Sequence, residues 1–180
     1  LFFDGTLPCP FSYPIRLCNL KRCLIVSKVP IDGTNKELVI VNLHLEAYDS
    51  GEGKAAQTKM LADILQAETD KGNYVIAGGD FNQTFSNTDI SAYPQQSDEL
   101  WAPSLIDISE FGNNFTCITD SSDPTCRSLD KSYDDADDKF QFYVIDGFIV
   151  SSNISIKSIE TDNLDFQNSD HNPIKLEVIL

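Results

Sequence analysis

The chain has 180 residues, 41% of them apolar and 10% aromatic, enough for one domain with its own core and short for two. Thirteen Lys and Arg stand against 28 Asp and Glu, a net charge of −15. Such a surface disfavours non-specific duplex binding, but not an anionic substrate beside divalent cations, because bound cations reverse the local field. No run reaches the length of a membrane span, and no basic-then-apolar leader is visible. The compartment stays open between soluble secreted and cytoplasmic settings.

In chain order, residues 1–20 carry three prolines and one glycine and read as loop. "RCLIVSKV" (22–29) and "ELVIVNLHL" (37–45) are apolar and β-branched, with the Asp32–Gly33 turn signal between them, and predict a hairpin. Over 53–72 the period changes: Ala56, Met60, Ile64 and Ala67 recur at helical spacing, widened by Leu61 and Leu65, and Lys71–Gly72 gives the stop. "YVIAGG" (74–79) is a short buried strand, so strand, helix and strand follow one another as in an α/β layer.

Residues 82–142 read as mostly polar loop, with one helical turn expected within 98–108 and a solvated acidic loop at 132–139. "FYVIDGFIVSS" (142–152) and "ISIKSIE" (154–160) predict a second hairpin-like pair. The last strand, "IKLEVIL", puts Ile174, Leu176, Val178 and Leu180 on one face and Lys175 and Glu177 on the other. None of the five cysteines forms a CxxC, which argues against a zinc ribbon. Cys117 and Cys126 flank a polar stretch and leave open a disulfide or two separate thiols.

The chemistry-bearing signal is polar groups set in apolar strands, where burial is costly without partners. Asn42 and His44 interrupt "VIVNLHL" at spacing two and so share a face. Asp80 and Asn82 follow "VIAGG", at a strand's C-terminal end, or form an ordinary turn. Asp146 lies in "YVIDGFIV", where a carboxylate wants a charge partner, a metal or a shared proton. Asp170 and His171 precede Asn172–Pro173 at the mouth of the last strand. Both histidines of the chain thus sit beside a carboxylate or carboxamide.

The segments "NLHL", "GGDFN", "IDGFIVS" and "SDHNPI", in this order, resemble the endonuclease/exonuclease/phosphatase superfamily over residues 19 to 180. The resemblance implies a DNase I-like four-layer α/β sandwich of two packed mixed β-sheets, here without its first strands. It also implies Mg²⁺- or Mn²⁺-dependent hydrolysis of a phosphate ester by in-line attack of water. In that reading His171, braced by Asp146, is general base or transition-state stabiliser, and Asp170 binds metal, with Asp80 as a second metal candidate. Asp80 and Asn82 orient nucleophile and phosphate, Asn42 contributes to substrate binding, and His44 holds a phosphate oxygen or assists the leaving group.

Arg22 and Lys28 are either phosphate contacts or solvated basic residues. The substrate class spans nucleic acid, phospholipid headgroup and small phosphoester. The absence of a basic, aromatic-interleaved stripe favours the latter two. Family members carry an Asn and a metal-binding Glu on earlier strands, whereas the first Glu here is Glu37. The expectation is a domain lacking its N-terminal part, which would then be a partner of this chain. The rival reading is a catalytically inactive binding or structural module of the same fold.

Overall fold

The fold is taken from a computed structural model, which describes residues 2–6, 22–48, 51–134, 136–137 and 139–180. Its frame is a six-stranded mixed sheet in the order β1-β2-β3-β4-β10-β7. β1 (Phe2–Thr6), β2 (Cys23–Pro30) and β3 (Glu37–His44) run antiparallel in turn. β3 then passes through α1 (Glu52–Thr69) to β4 (Tyr74–Asp80), which it pairs in parallel. β10 (Asp146–Ser151) lies antiparallel between β4 and β7 (Phe115–Ile118).

The predicted hairpin forms, closed by Ile31 N–H to the Lys36 carbonyl at 3.0 Å. Its alternation sorts the two faces. Leu24, Val26, Val39, Val41 and Leu43 face α1 and are buried, while Ile25, Val29 and Ile40 point the other way and stay exposed. Lys28, on the helix side, is half-buried and paired with Glu68 at 2.7 Å.

α1 forms where the periodicity places it, but turned about its axis. Ala56 and Ala67 are exposed, and the buried face is Lys54, Gln57, Thr58, Leu61, Leu65 and Glu68. The polar members have partners that hydrophobic spacing does not reveal. Gln57 Oε1 accepts from the Glu46 N–H at 2.9 Å, and Glu68 accepts from Lys28, Lys71 and Asn73. Satisfied polar groups lose little on burial. Leu61 and Leu65 pack on Val39, Val41, Val75 and Ala77, and either Leu→Ala change should cost ~2–5 kcal/mol.

The "GG" of β4 is strand and not turn. A Cβ on Gly79, whose φ is +142°, would lie 2.1 Å from the Leu43 carbonyl oxygen, and one on Gly78 would strike the Phe148 ring at 2.5 Å. Two bare positions therefore let β3 and β10 close on β4 just ahead of Asp80.

The remaining expectations need correction. Part of the N-terminal loop is strand, since β1 pairs with β2, and 7–20 lie outside the described residues. The stretch 82–142 holds β5 (Gln83–Phe85), β6 (Ser104–Ile106), a 3-10 turn (Ile108–Phe111), β7, β8 (Cys126–Arg127) and β9 (Phe142–Tyr143). Within 98–108, residues 98–100 form a turn closed by the Leu100 N–H to the Ser97 carbonyl at 3.1 Å, 104–106 are β6, and the 3-10 turn begins at 108. Short paired strands in polar sequence carry too few residues for a period to register. Segments 142–152 and 154–160 do not pair with each other. β10 already has β4 and β7 on its two edges, so β11 (Ser155–Thr161) pairs instead with β12 (Ile174–Ile179) in a separate sheet, and β12 meets β10. Cys117 and Cys126 are separate buried thiols.

Candidate active site

Strand register builds a row of three side chains. His44 ends β3 opposite Asp80, which ends β4, and Asp80 in turn lies opposite Asp146, the first residue of β10. These residues come from three separate segments of sequence and stand side by side because β3 and β4 run parallel while β10 runs back.

Asp80 is the centre of the row. Its Oδ2 lies 3.3 Å from His44 Nε2 and 3.7 Å from His171 Nε2, and its Oδ1 accepts the Asn82 N–H at 2.7 Å. Burial and the neighbouring Asp146 carboxylate push its pKa up to about 6, against the opposing pull of His171, the Asn82 N–H and Arg22. Asn82 makes this turn in the left-handed region, φ 50°, which Asn tolerates better than most residues. Its side-chain amide donates to the Leu45 carbonyl at 2.9 Å and to Asp80 Oδ2 at 3.3 Å. Asn82 thus holds Asp80 as much as it offers a donor to the cleft.

His171 Nδ1 lies 2.8 Å from Asp146 Oδ2, the pairing expected from sequence. Burial works against the charged ring. The hydrogen bond with Asp146 and the adjacent Cys126 outweigh it, and the imidazole pKa rises to about 11. His44 is different: burial, Arg22 and His171 lower its pKa despite Asp146 and Glu46. Asp146 is fixed from behind by Thr125, whose Oγ1 accepts the N–H groups of Ile145 (3.0 Å) and Asp146 (3.1 Å).

The loop carrying His171 is stitched to β8 and to Thr125 just before it. Arg127 N–H donates to the Asp170 carbonyl and Asn172 N–H to the Thr125 carbonyl, both at 2.9 Å, and Cys126 bridges His171. A ring nitrogen of His171, a carboxylate oxygen of Asp170 and the Cys126 sulfur lie within 4.8 Å of one another. Asp80 is not part of that group.

His44, Asp80, Asn82, Cys126, Asp170 and His171 line a cleft of about 280 Å³ together with Arg22 and Arg127, and the rest of its wall includes Ala47, Tyr48, Trp101, Leu129, Tyr143 and Ile145. Arg22 is 9% exposed, lies 3.6 Å from Glu46, and its Nε has no hydrogen-bond partner among the described residues. It is therefore not a solvated basic residue. Asn42 shares the exposed face of β3 with His44 but is not among the cleft-lining residues. Sequence reasoning missed Thr125, Cys126, Glu46 and Trp101. Each sits in or beside a loop with no periodic pattern, and only the paired-strand geometry brings it to the site.

This arrangement, helix and second sheet disposed about a mixed sheet whose strand ends hold the polar row, is the DNase I-like α/β fold of endonuclease/exonuclease/phosphatase proteins. Three solved structures carry the likeness. An endonuclease/exonuclease/phosphatase from Beutenbergia cavernae matches 100% of this chain and 45% of its own, with TM-score 0.62 and 16% identity. The mannosyl-6-phosphatase Bt3783 of Bacteroides thetaiotaomicron matches 100% and 66%, with TM-score 0.61 and 15% identity. D. rerio TDP2 complexed with a single-strand DNA product matches 99% and 68%, with TM-score 0.58 and 14% identity. The chain thus spans between about half and two thirds of the length of these structures. No protein-family profile and no curated protein match the sequence.

Proposed function

We propose that the protein hydrolyses a phosphate ester with the help of a divalent metal ion. The single observation behind this reading is the Asp80 carboxylate set between two imidazoles, one of them braced by Asp146. A carboxylate with a pKa near 6 is mostly ionised at neutral pH yet basic enough to accept a proton. Asp80 takes the proton of the attacking water. His171, kept cationic, donates to a phosphoryl oxygen as charge builds in the transition state. His44, exposed on the other side of Asp80, binds a phosphate oxygen or meets the leaving group, and Arg22 adds positive charge at the cleft wall.

Mg²⁺ binds through one or two carboxylates plus water and phosphate. The Asp170 carboxylate in a cleft that also holds Asp80 fits such an ion. Asp170, with Asp80 as the second candidate, would hold Mg²⁺ or Mn²⁺, which when bound neutralises phosphate charge.

The net charge of −15 supports a small phosphoester or lipid headgroup over a polynucleotide. Among the solved relatives, one is a mannosyl-6-phosphatase and another is complexed with a DNA product. The test is Mg²⁺- or Mn²⁺-dependent turnover of three substrates: bis-p-nitrophenyl phosphate, sphingomyelin or a phosphoinositide, and plasmid DNA. His171→Ala should abolish whichever activity appears, and a variant with the wild-type rate would refute the site.

A further inference from the structure

Five cysteines occur in the chain, and the three described ones stand in different surroundings. Cys23 is exposed, and Cys117 is packed within the main apolar core. Cys126 is 6% exposed and opens on the active-site cleft. It is also the one described cysteine that converges with two other metal-ligating side chains.

We propose that Cys126, Asp170 and His171 form a binding site for a thiophilic divalent cation of the Zn²⁺ class, and that the bound ion closes the cleft to catalysis. The closing step rests on the hydrolase reading above, whereas the binding does not.

Three arguments carry the site. First, the donors are one sulfur, one nitrogen and one oxygen, a set that Zn²⁺ accepts and that Mg²⁺, which prefers oxygen, does not. Ligand atoms within 4.8 Å of one another need only small side-chain rotations to reach bonds of ~2.0–2.3 Å around one ion. Second, the imidazole is already oriented. Asp146 takes Nδ1 at 2.8 Å, which leaves Nε2 as the nitrogen for a metal. A carboxylate on the far ring nitrogen is the usual support of a metal-binding histidine. Third, the backbone holds the donors in register through the Arg127–Asp170 and Asn172–Thr125 hydrogen bonds and the Cys126–His171 bridge. The site is thus assembled before any ion arrives.

On binding, the Cys126 thiol and the Nε2–H of the cationic His171 ring each release a proton to solvent, leaving a thiolate and a neutral imidazole as ligands. A fourth position remains for water or phosphate. His171 is then spent as a ligand and Asp170 is withdrawn from any Mg²⁺, so hydrolysis stops without a change of fold.

The direct test is titration of the chain with Co²⁺ as a spectroscopic substitute, followed by displacement with Zn²⁺. The expected result is a near-ultraviolet thiolate-to-cobalt band that Zn²⁺ removes. The band should vanish in Cys126→Ser and persist in Cys23→Ser. Zn²⁺ affinity in Cys126→Ser should fall more than the ~10–100-fold seen when only an outer partner of a ligand is removed. Should Cys126→Ser fail to fold by circular dichroism, Asp170→Asn, at a half-buried position, takes its place and should weaken Zn²⁺ by more than about tenfold. A wild-type chain without the band, a folded Cys126→Ser that keeps it, or an Asp170→Asn of unchanged Zn²⁺ affinity overturns the site. Failure of Mg²⁺-dependent turnover would refute the hydrolase reading and leave the binding result standing. If turnover is found and saturating Zn²⁺ does not stop it, the closing step is refuted.

Discussion

The two sides of Asp80 are built differently. On the β10 side, His171 is hydrogen-bonded to Asp146, which Thr125 fixes through two backbone donors, and the loop is stitched to β8. On the β3 side, the His44 side chain is 56% exposed and has Asp80 as its near carboxylate at 3.3 Å. The physical consequence is opposite charge states: the braced imidazole is held protonated, and the exposed one is moved toward neutrality. One carboxylate therefore faces a fixed cation and an adaptable neutral ring. That division suits a site in which one group stabilises charge and the other accommodates a variable leaving group.

The comparison breaks most sharply at His171. Replacing it by Ala should lower kcat/KM by ~10³–10⁴-fold, at the upper range for a positioned acid–base group; steady-state kinetics decide, and equal losses at His44 and His171 would erase the asymmetry. Asp80→Asn should cost ~10²–10³-fold and should also remove the acid limb of the pH–rate profile. That limb lies near pH 6, because the carboxylate must lose its proton to act as base.

Asp80 also predicts a stability effect of definite sign. Its pKa is raised from 3.8 to about 6, so between those values the folded chain binds more protons than the unfolded one. Stability therefore falls as pH rises through that window, by ~3 kcal/mol at ~1.4 kcal/mol per unit, and stays low above it. Asp80→Asn should remove this slope and raise stability at pH 8 by ~1 kcal/mol, since the amide oxygen can still accept the Asn82 N–H. Urea unfolding at pH 4.5 and pH 6.5, below the range in which His171 adds its own fall, measures the slope, and unfolding at pH 8 measures the difference between variant and wild type. Next in size, Thr125→Val should destabilise by ~2–3 kcal/mol by stranding two buried N–H groups. It should lower turnover as well, because Asp146 loses its backing.

What was legible in the sequence followed pattern and spacing. The β2–β3 hairpin, the β3–α1–β4 unit and β12 carry enough residues for their period to register, and Asp146 announced itself as a carboxylate among apolar neighbours. The His171–Asp146 pairing was anticipated only through the family resemblance; the residues alone said that Asp146 wanted a charge partner, a metal or a shared proton. Three things were hidden for physical reasons. The buried face of α1 is set by polar groups with specific partners, which hydrophobic spacing counts as surface. The exchange of β11 from β10 to β12 depends on β7 already occupying the β10 edge, a non-local fact. Thr125 and Cys126 lie in a polar stretch that becomes structure only where it meets residues 170–172.

The smallest effect expected is at His44, and it tests the other half of the comparison. The ring is exposed and its shift is downward, so it is largely neutral at pH 7 and its interaction with Asp80 is screened by solvent. His44→Gln keeps a polar group at the end of β3 and should lower kcat/KM by only about tenfold on an activated ester such as bis-p-nitrophenyl phosphate. Its leaving group needs little help, so the loss measures phosphate binding alone. On an unactivated alkyl ester the same variant should lose more, toward ~10²-fold, if His44 assists departure of the leaving group. Equal losses on the two esters would assign His44 to phosphate binding, and a larger loss on the alkyl ester would assign it to the leaving group. Either outcome keeps it distinct from His171, whose removal should cost the same on both because the charge it stabilises is common to both transition states.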